Sequence, residues 1–425
     1  MQIVLYEMHK ALRTSVLLAL TSFSIYFGMY ALRKPFAAGV WDELIWGFPL
    51  KIWLVSAQLL GYAAAKWWGI TFVSQVQRAQ QKKALLVMFA MAFGSLLLLA
   101  IAPTPLKVGA MVLNGLSLGM VWGVIFRYLE GRKATEVLGI FLSCSFVVSS
   151  GAVKSLGLWL IQNLGVEESW MPFITGLCFA PVLILSVWWI DRLPEPNESD
   201  RALRSNRTAM KRSDRREMLQ NVGLGVGFIS VAYVLLTGLR DLRDNFAVEL
   251  WEELGVQDSA ANLTQSEWPI TLIILAVFTL TARIRDNQKA FSAMLLVLVV
   301  GSFLIGFSAY AHQMGWLSPL MFMFLLGLGL YLAYIPITSI LFDRLIAALN
   351  LNGNVGFFIY TADAMGYLGT TVLMFVFRFG ETDLSWLNLV YNISFLVSIT
   401  SGALFLSALV WFQNVYPRFK SRVHA

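Results

Sequence analysis

The segment RKPFAAGVWDEL, residues 33–44, returns later in the chain as RDNFAVELWEEL, residues 243–254. Six of the twelve columns are identical in register (Arg, Phe, Ala, Trp, Glu and Leu), where chance matching at average composition gives roughly one. Tryptophan with acidic neighbours is an ordinary interfacial ending for a membrane span, but that habit leaves the Arg-x-x-Phe-Ala part unexplained. Each segment closes an apolar run, and the pair marks an internal duplication.

Around these segments the chain is apolar almost throughout. Of its 425 residues 58% are hydrophobic and 13% charged, against about one quarter charged in soluble domains. This excludes an ordinary soluble chain and a disordered one, and two cysteines, Cys144 and Cys178, exclude a disulfide scaffold. Stretches long enough to cross ~30 Å of hydrocarbon as helices lie at 14–38, 50–71, 84–102, 107–128, 137–162, 171–190, 219–247, 267–284, 290–311, 318–341, 353–377 and 388–412. The expected fold is an all-α integral membrane protein with twelve transmembrane helices in two pseudo-symmetric six-helix halves, 1–190 and 219–425, joined by a basic linker, 191–218. The N-terminal MQIVLYEMHKALR is polar and charged, with no small-residue cleavage pattern after it, so span one is expected to stay as an anchor.

The linker carries Pro194, Pro196 and eight Lys/Arg. An even number of spans puts both termini on one side. With that side cytoplasmic, 23 of the 32 Lys/Arg fall inside, three (Lys51, Lys107, Arg378) fall outside and six lie within spans, which is the positive-inside pattern. The same placement divides the net +7 into +12 inside, −8 outside and +3 within the spans. The basic balance therefore reports orientation and gives no reason to expect a nucleic-acid partner. A multi-pass protein of the plasma or inner membrane with cytoplasmic termini is expected.

Two six-span halves in parallel repeat with a long basic central loop resemble the major facilitator transporters, whose halves rock about a central site. Span one, Tyr26-Phe-Gly-Met-Tyr30-Ala-Leu-Arg33-Lys34-Pro-Phe36-Ala37, resembles the Tyr-x-x-x-Tyr-x-x-Arg-Lys-Asn-Phe-Ala signature of the organophosphate:phosphate antiporter branch, which includes the glycerol-3-phosphate and hexose-phosphate transporters. Gly61-Tyr62-Ala-Ala-Ala-Lys66 is similar to that branch's Tyr-Gly-x-x-Lys segment, and Gly366-Tyr367-Leu368-Gly369 to its Gly-Tyr-Leu-Gly. The resemblance implies that arginines from spans one and seven grip a phosphate: Arg33 with Arg243 or Arg240, supported by Lys66. It also implies a monomer. The chain departs from the branch in span five, which lacks the branch's histidine; the histidines here are His9, His312 and His424. The loop after span two keeps basic residues, Arg78, Lys82 and Lys83, but lacks the superfamily's aspartate.

A Lys or Arg at mid-span costs roughly 2.5–3.5 kcal/mol on insertion scales, so such charges face a cavity or a partner. Six basic residues lie within spans, Arg33, Lys34, Lys66, Lys154, Arg240 and Arg243, against three acids, Asp241, Asp244 and Asp363. A transported anion is the simplest supplier of the missing negative charge. Tyr26, Tyr30 and Arg33 are spaced by four and three residues, which places two phenols and a guanidinium on one helix face. The planar fork binds phosphate or carboxylate bidentately, and phenols add donors.

Tyr233 precedes Arg240 by seven residues, as Tyr26 precedes Arg33, whereas the duplication pairs Arg33 with Arg243. Three residues is almost one turn, so Arg240 and Arg243 share a face and either can be the counterpart of Arg33. Arg240 and Asp244 have salt-bridge spacing, which would leave Arg243 for substrate. Lys34, about 100° around the helix from Arg33, is expected to snorkel to the outer interface. Lys154 and Asp363 occupy corresponding spans in small-residue contexts: they are a gating pair that breaks on substrate entry, or two satisfied structural charges. Trp122 and Tyr334 are either cavity-lining aromatics or, as is commoner on a span, packing or interface-belt aromatics.

These features point to a secondary transporter of a small organic anion, a phosphate ester in exchange for phosphate, working by alternating access within the lipid bilayer. The alternative is a non-transporting receptor or sensor on the same fold. There is no histidine cluster, metal-spaced ligand set, nucleophile motif or Gly-x-x-x-x-Gly-Lys-[Ser/Thr], so neither an enzyme, an ATP-driven pump nor a cofactor is expected.

Overall fold

Apolar runs become helices because a backbone surrounded by hydrocarbon has to satisfy its own N–H and C=O groups. The computed structural model describes residues 2–130, 132, 135–196, 212–256, 259–349, 355–380 and 385–423; the middle of the basic linker, 197–211, lies outside them. The first unit, Met1–Asn206, contains α1 (Gln2–Arg33), α2 (Leu50–Gln75), α3 (Arg78–Ile101), α4 (Thr104–Leu118, resuming as Val121–Leu129), α5 (Thr135–Leu164) and α6 (Met171–Arg192). The second, Arg207–Ala425, contains α7 (Arg212–Asn245), α8 (Glu267–Ala282), α9 (Asn287–Gln313), α10 (Pro319–Ser339, resuming as Leu341–Leu349), α11 (Val355–Gly380) and α12 (Trp386–Val423). Short helices Ala247–Glu253 and Ser259–Gln265 connect α7 to α8. Among the described residues, ten of the twelve helices are long and apolar enough to cross a membrane by length and composition. The other two are α2, which carries Lys51, Gln58 and Lys66, and α11.

Each half builds the same set of helix neighbours. In the first, α1 packs on α5 and α6, α2 on α4, and α3 on α4 and α6; in the second, α7 packs on α11 and α12, α8 on α10, and α9 on α10 and α12. Every pair recurs six helices later. The fourth helix of each half is also broken near its end, at Gly119–Met120 in α4 and at Ile340 in α10, four residues after Pro336.

Helix α1 ends at Arg33, five residues before the expected end of its span. Pro35 has no N–H to continue the ladder, so the chain turns into a 3-10 helix, Pro35–Ala38. A small antiparallel hairpin, β1 (Leu44–Ile45) and β2 (Phe48–Pro49), leads on to α2.

The duplicated segment is a packing device. Phe36, Ala37 and Trp41 are buried in the first half, as are Phe246, Ala247 and Trp251 in the second. Trp41 adopts a left-handed φ of 54°, which costs roughly 1–3 kcal/mol for a bulky residue. Its indole donates to the Phe36 carbonyl at 2.8 Å, and Glu168 accepts the backbone N–H groups of Val40 and Trp41. In the second half Phe246 stacks on Trp386 at 3.9 Å, and Glu253 accepts the N–H groups of Trp386 and Leu387 in the first turn of α12. The matching acid of the first copy, Glu43, accepts the Thr104 hydroxyl at the start of α4. Lys34 corrects an expectation: it is 2% exposed, so it is enclosed by protein and does not snorkel outward.

Candidate functional site

The end of α1 is held by two buried amides. The last carbonyls of a helix lack intrahelical partners, and in a membrane span they need donors. Gln58 Nε2 on α2 donates to the Arg33 carbonyl and to Asn114 Oδ1, both at 2.8 Å. Asn114 Nδ2 on α4 donates to the Leu32 carbonyl at 3.1 Å and to Ser95 Oγ at 3.0 Å. These reaches require α2 and α4 to cross closely. Gly61 and Gly115 permit it, since a Cβ on either would collide with backbone of the other helix, at Val112 or at Gln58.

On that anchored helix end the Arg33 side chain is buried, at 2% exposure. Its guanidinium carbon lies 4.0 Å from the centre of the Tyr62 ring and 5.6 Å from that of Tyr30. Nη1 reaches the Tyr30 hydroxyl at 3.4 Å. Tyr26 meets Tyr30 edge-on at 5.5 Å, and Tyr30 stacks on Phe146 of α5. Lys66 Nζ lies 5.6 Å from the Tyr62 ring and 5.9 Å from Trp122. Arg33 and Lys66 thus meet at the Tyr62 ring, and Tyr30 and Tyr26 extend the cluster along α1. Lys154 is buried on α5, about two turns beyond Phe146.

In the second half the counterpart assembles from α7, α10 and α11. The Arg240 guanidinium lies 4.4 Å from the Tyr334 ring centre and 5.7 Å from that of Tyr367. Tyr233 stacks on Tyr334 at 4.8 Å, their hydroxyls are 2.6 Å apart, and the Tyr233 hydroxyl donates to Asp363 Oδ1. Tyr334 joins the two ends of this cluster, touching Tyr233 with its hydroxyl and Arg240 with its face.

Arg243 is engaged elsewhere. Nη1 donates to Glu267 Oε1 at 2.8 Å and Nη2 to the Met323 carbonyl at 2.9 Å, and the missing side chain of Gly327 makes room for the guanidinium. Arg240, for its part, pairs with Asp241 at 2.7 Å instead of forming the expected i,i+4 bridge to Asp244. The two registers proposed from sequence therefore separate by role. The duplication aligns Arg33 with Arg243 along the chain, whereas the tyrosine environment and the spacing of seven align Arg33 with Arg240.

Sequence reasoning left Trp122 and Tyr334 between cavity lining and packing and gave Tyr62 and Tyr367 no role of their own. Tyr62 precedes Lys66 by four residues and Tyr367 follows Asp363 by four, so helical spacing from a buried charge was the available signal. Gln58 and Asn114 also carried a signal, as polar amides inside apolar spans. Among the described residues no group of three or more metal-ligating side chains occurs.

Comparison with known proteins bears on the fold. A family model described as a family of unknown function, DUF5690, matches residues 35–415. No curated protein matches the chain. Among solved structures, the chain is similar to a D-xylose-proton symporter, with a TM-score of 0.61 and 15% identity over 93% of this chain and 96% of that one. It is similar to the major facilitator superfamily proton:xylose symporter XylE, bound to 6-bromo-6-deoxy-D-glucose, with a TM-score of 0.60 and 14% identity over 95% of each chain. It is also similar to the nucleoside transporter NupG, with a TM-score of 0.60 and 14% identity over 94% of this chain and 99% of that one. The likeness shows the major facilitator fold.

Proposed function

We propose a function from two premises: the chain belongs to DUF5690, a family of unknown function, and it has the major facilitator fold. The protein is a secondary transporter that carries a small organic anion by alternating access, and a phosphate ester exchanged for phosphate is the cargo that best suits its side chains. The observation that carries this reading is the repeated guanidinium-on-tyrosine arrangement, Arg33 on Tyr62 at 4.0 Å and Arg240 on Tyr334 at 4.4 Å. A desolvated guanidinium on an aromatic face gains about 2 kcal/mol, and its planar fork of donors matches the geometry of an oxyanion.

In the first half Arg33 is assigned to the anion, with Lys66 adding charge and Tyr26 and Tyr30 orienting it; in the second half Arg240 is assigned to the anion, with Tyr233 beside it. Arg243 holds α7 in place through Glu267 and Met323. Lys154 and Asp363 are assigned to coupling. The fold relatives are named for xylose and for a nucleoside, both hydroxyl-rich solutes, and the buried arginines favour an anionic solute of that kind. The lysine and arginine distribution supports cytoplasmic termini and a cytoplasmic linker at 191–218, in a monomer of the plasma or inner membrane.

The test is uptake and counterflow of phosphate and phosphate esters in proteoliposomes, with ligand-induced thermal stabilisation measured in parallel. Arg33→Lys and Arg240→Lys are expected to lose both signals at least tenfold. Unchanged uptake and stabilisation in both variants refutes the site. Binding without flux turns the reading to a sensor on the same fold.

A further inference from the structure

Arg240 and Asp241 are consecutive residues of α7, and side chains one position apart on a helix do not ordinarily face each other. Here the arginine bends back. Its Nε and Nη2 reach the same oxygen, Asp241 Oδ1, at 3.2 and 2.7 Å, with the arginine 8% and the aspartate 1% exposed. The strong form of this pair places two N–H groups on two oxygens. Here both fall on one oxygen. Oδ2 of Asp241 is buried and has no hydrogen-bond partner among the described residues, and Nη1 of Arg240 makes no hydrogen bond among them. A buried carboxylate with one empty oxygen is an under-satisfied partner. Arg243, one turn on, shows the contrast, because its two terminal nitrogens are held by Glu267 and by the Met323 carbonyl.

We infer that Asp241 is an internal counter-ion that occupies the Arg240 guanidinium while the anion site is empty and is displaced when a substrate oxyanion binds. This rests on the reading of Arg240 as an anion-binding residue. Two properties follow. The site carries no bare buried cation while empty, which keeps the desolvated guanidinium tolerable. The carboxylate also lowers apparent affinity by the fraction of protein in which Arg240 is released, and it selects against weak monodentate anions. A phosphate or phosphate monoester, which can present two oxygens at once to the Nη1–Nη2 edge, outcompetes a carboxylate held through one oxygen; chloride does not. Asp241 is thus a positioning and specificity residue that acts through Arg240.

The experiment uses full-length purified protein and inorganic phosphate as the probe, with chloride as the control anion. Affinity is read from thermal-shift titration, and flux from proteoliposomes. Asp241→Asn is expected to bind phosphate about tenfold more tightly than wild type if Arg240 is released about a tenth of the time. It should also acquire a chloride-dependent stabilisation that wild type lacks. Arg240→Gln abolishes the phosphate response, and the double variant Arg240→Gln/Asp241→Asn does not regain it. Should Asp241→Asn not fold, Asp241→Ser carries the same expectation.

Equal or weaker phosphate binding in the Asp241 variant overturns the inference, because a residue that merely orients Arg240 gives that result. Tighter binding that survives in the double variant overturns it as well. If the variant binds more tightly through Arg240 while neither protein shows flux, the counter-ion assignment stands and the transport reading fails.

Discussion

Substituting Gly115 by alanine probes how the Arg33 site is built. A Cβ at this position would overlap the Gln58 carbonyl and lie 2.8 Å from the Tyr62 nitrogen, both backbone atoms of α2, so no side-chain rotation relieves the clash. Restoring an ordinary contact of about 3.4–4 Å moves the helices apart by roughly 1 Å. The bonds from Gln58 to the Arg33 carbonyl and to Asn114 start at 2.8 Å, and that displacement takes both past useful length. Overpacking costs about 1–3 kcal/mol. Two buried hydrogen bonds add about 1–3 kcal/mol together, and the gain of alanine over glycine in a helix returns about 1 kcal/mol. Net destabilisation of about 1–5 kcal/mol is expected, read as reversible unfolding by SDS titration in mixed micelles. Gly94→Ala and Gly109→Ala serve as controls, because nothing lies within 4 Å of the built Cβ at either site; they should be neutral or slightly stabilising. A Gly115→Ala protein within about 0.5 kcal/mol of these controls would refute the close-crossing account.

Arg243→Leu removes the cation of a buried ion pair and should destabilise the second half by about 3–5 kcal/mol, whereas Arg243→Leu/Glu267→Leu recovers most of the loss in the same unfolding assay. Recovery of phosphate binding in that double variant would mark Arg243 as structural, and its absence would return Arg243 to the anion. Tyr334→Leu takes the aromatic face from beneath Arg240 and should weaken phosphate binding by about 1–2 kcal/mol, roughly five- to thirtyfold by thermal-shift titration. Tyr334→Phe, which keeps the face, loses much less. Glu168→Ala frees the Val40 and Trp41 N–H groups and should cost about 2–3 kcal/mol of stability, measured as a fall in Tm with no change in anion affinity at matched temperature.

The sequence carried the fold far because its main constraint is one-dimensional. Hydrocarbon demands about twenty apolar residues per crossing, so the spans are legible without a partner in space, and the sorting of lysines and arginines supports the proposed orientation. Span ends are less legible. Pro35 cut α1 at Arg33, α4 broke at Gly119–Met120, where an added Cβ on Gly119 would meet Ala65 and Tyr62, and α10 broke at Ile340, four residues after Pro336. The cluster of Tyr26, Tyr30 and Arg33 was legible for the same reason as the spans, since it lies on a single helix.

The limit came wherever a side chain's partner lies on another helix. The duplicated Arg-x-x-Phe-Ala segment named Arg243 as the partner of Arg33, and it reported an alignment of backbones that conserves packing: Phe36 with Phe246, Trp41 with Trp251. Which arginine faces tyrosine and which faces glutamate depends on where Glu267, Met323 and Tyr334 arrive, and these come from α8 and α10. Lys34 reads as an interfacial lysine by helical angle and is buried in the structure. The sequence by itself determined the class of the protein, its duplicated halves and the buried positive charge, because each follows from composition and periodicity along one chain. The tertiary structure alone assigned each buried charge its partner, because ion pairs, cation–ring contacts and helix-end caps join residues far apart in sequence.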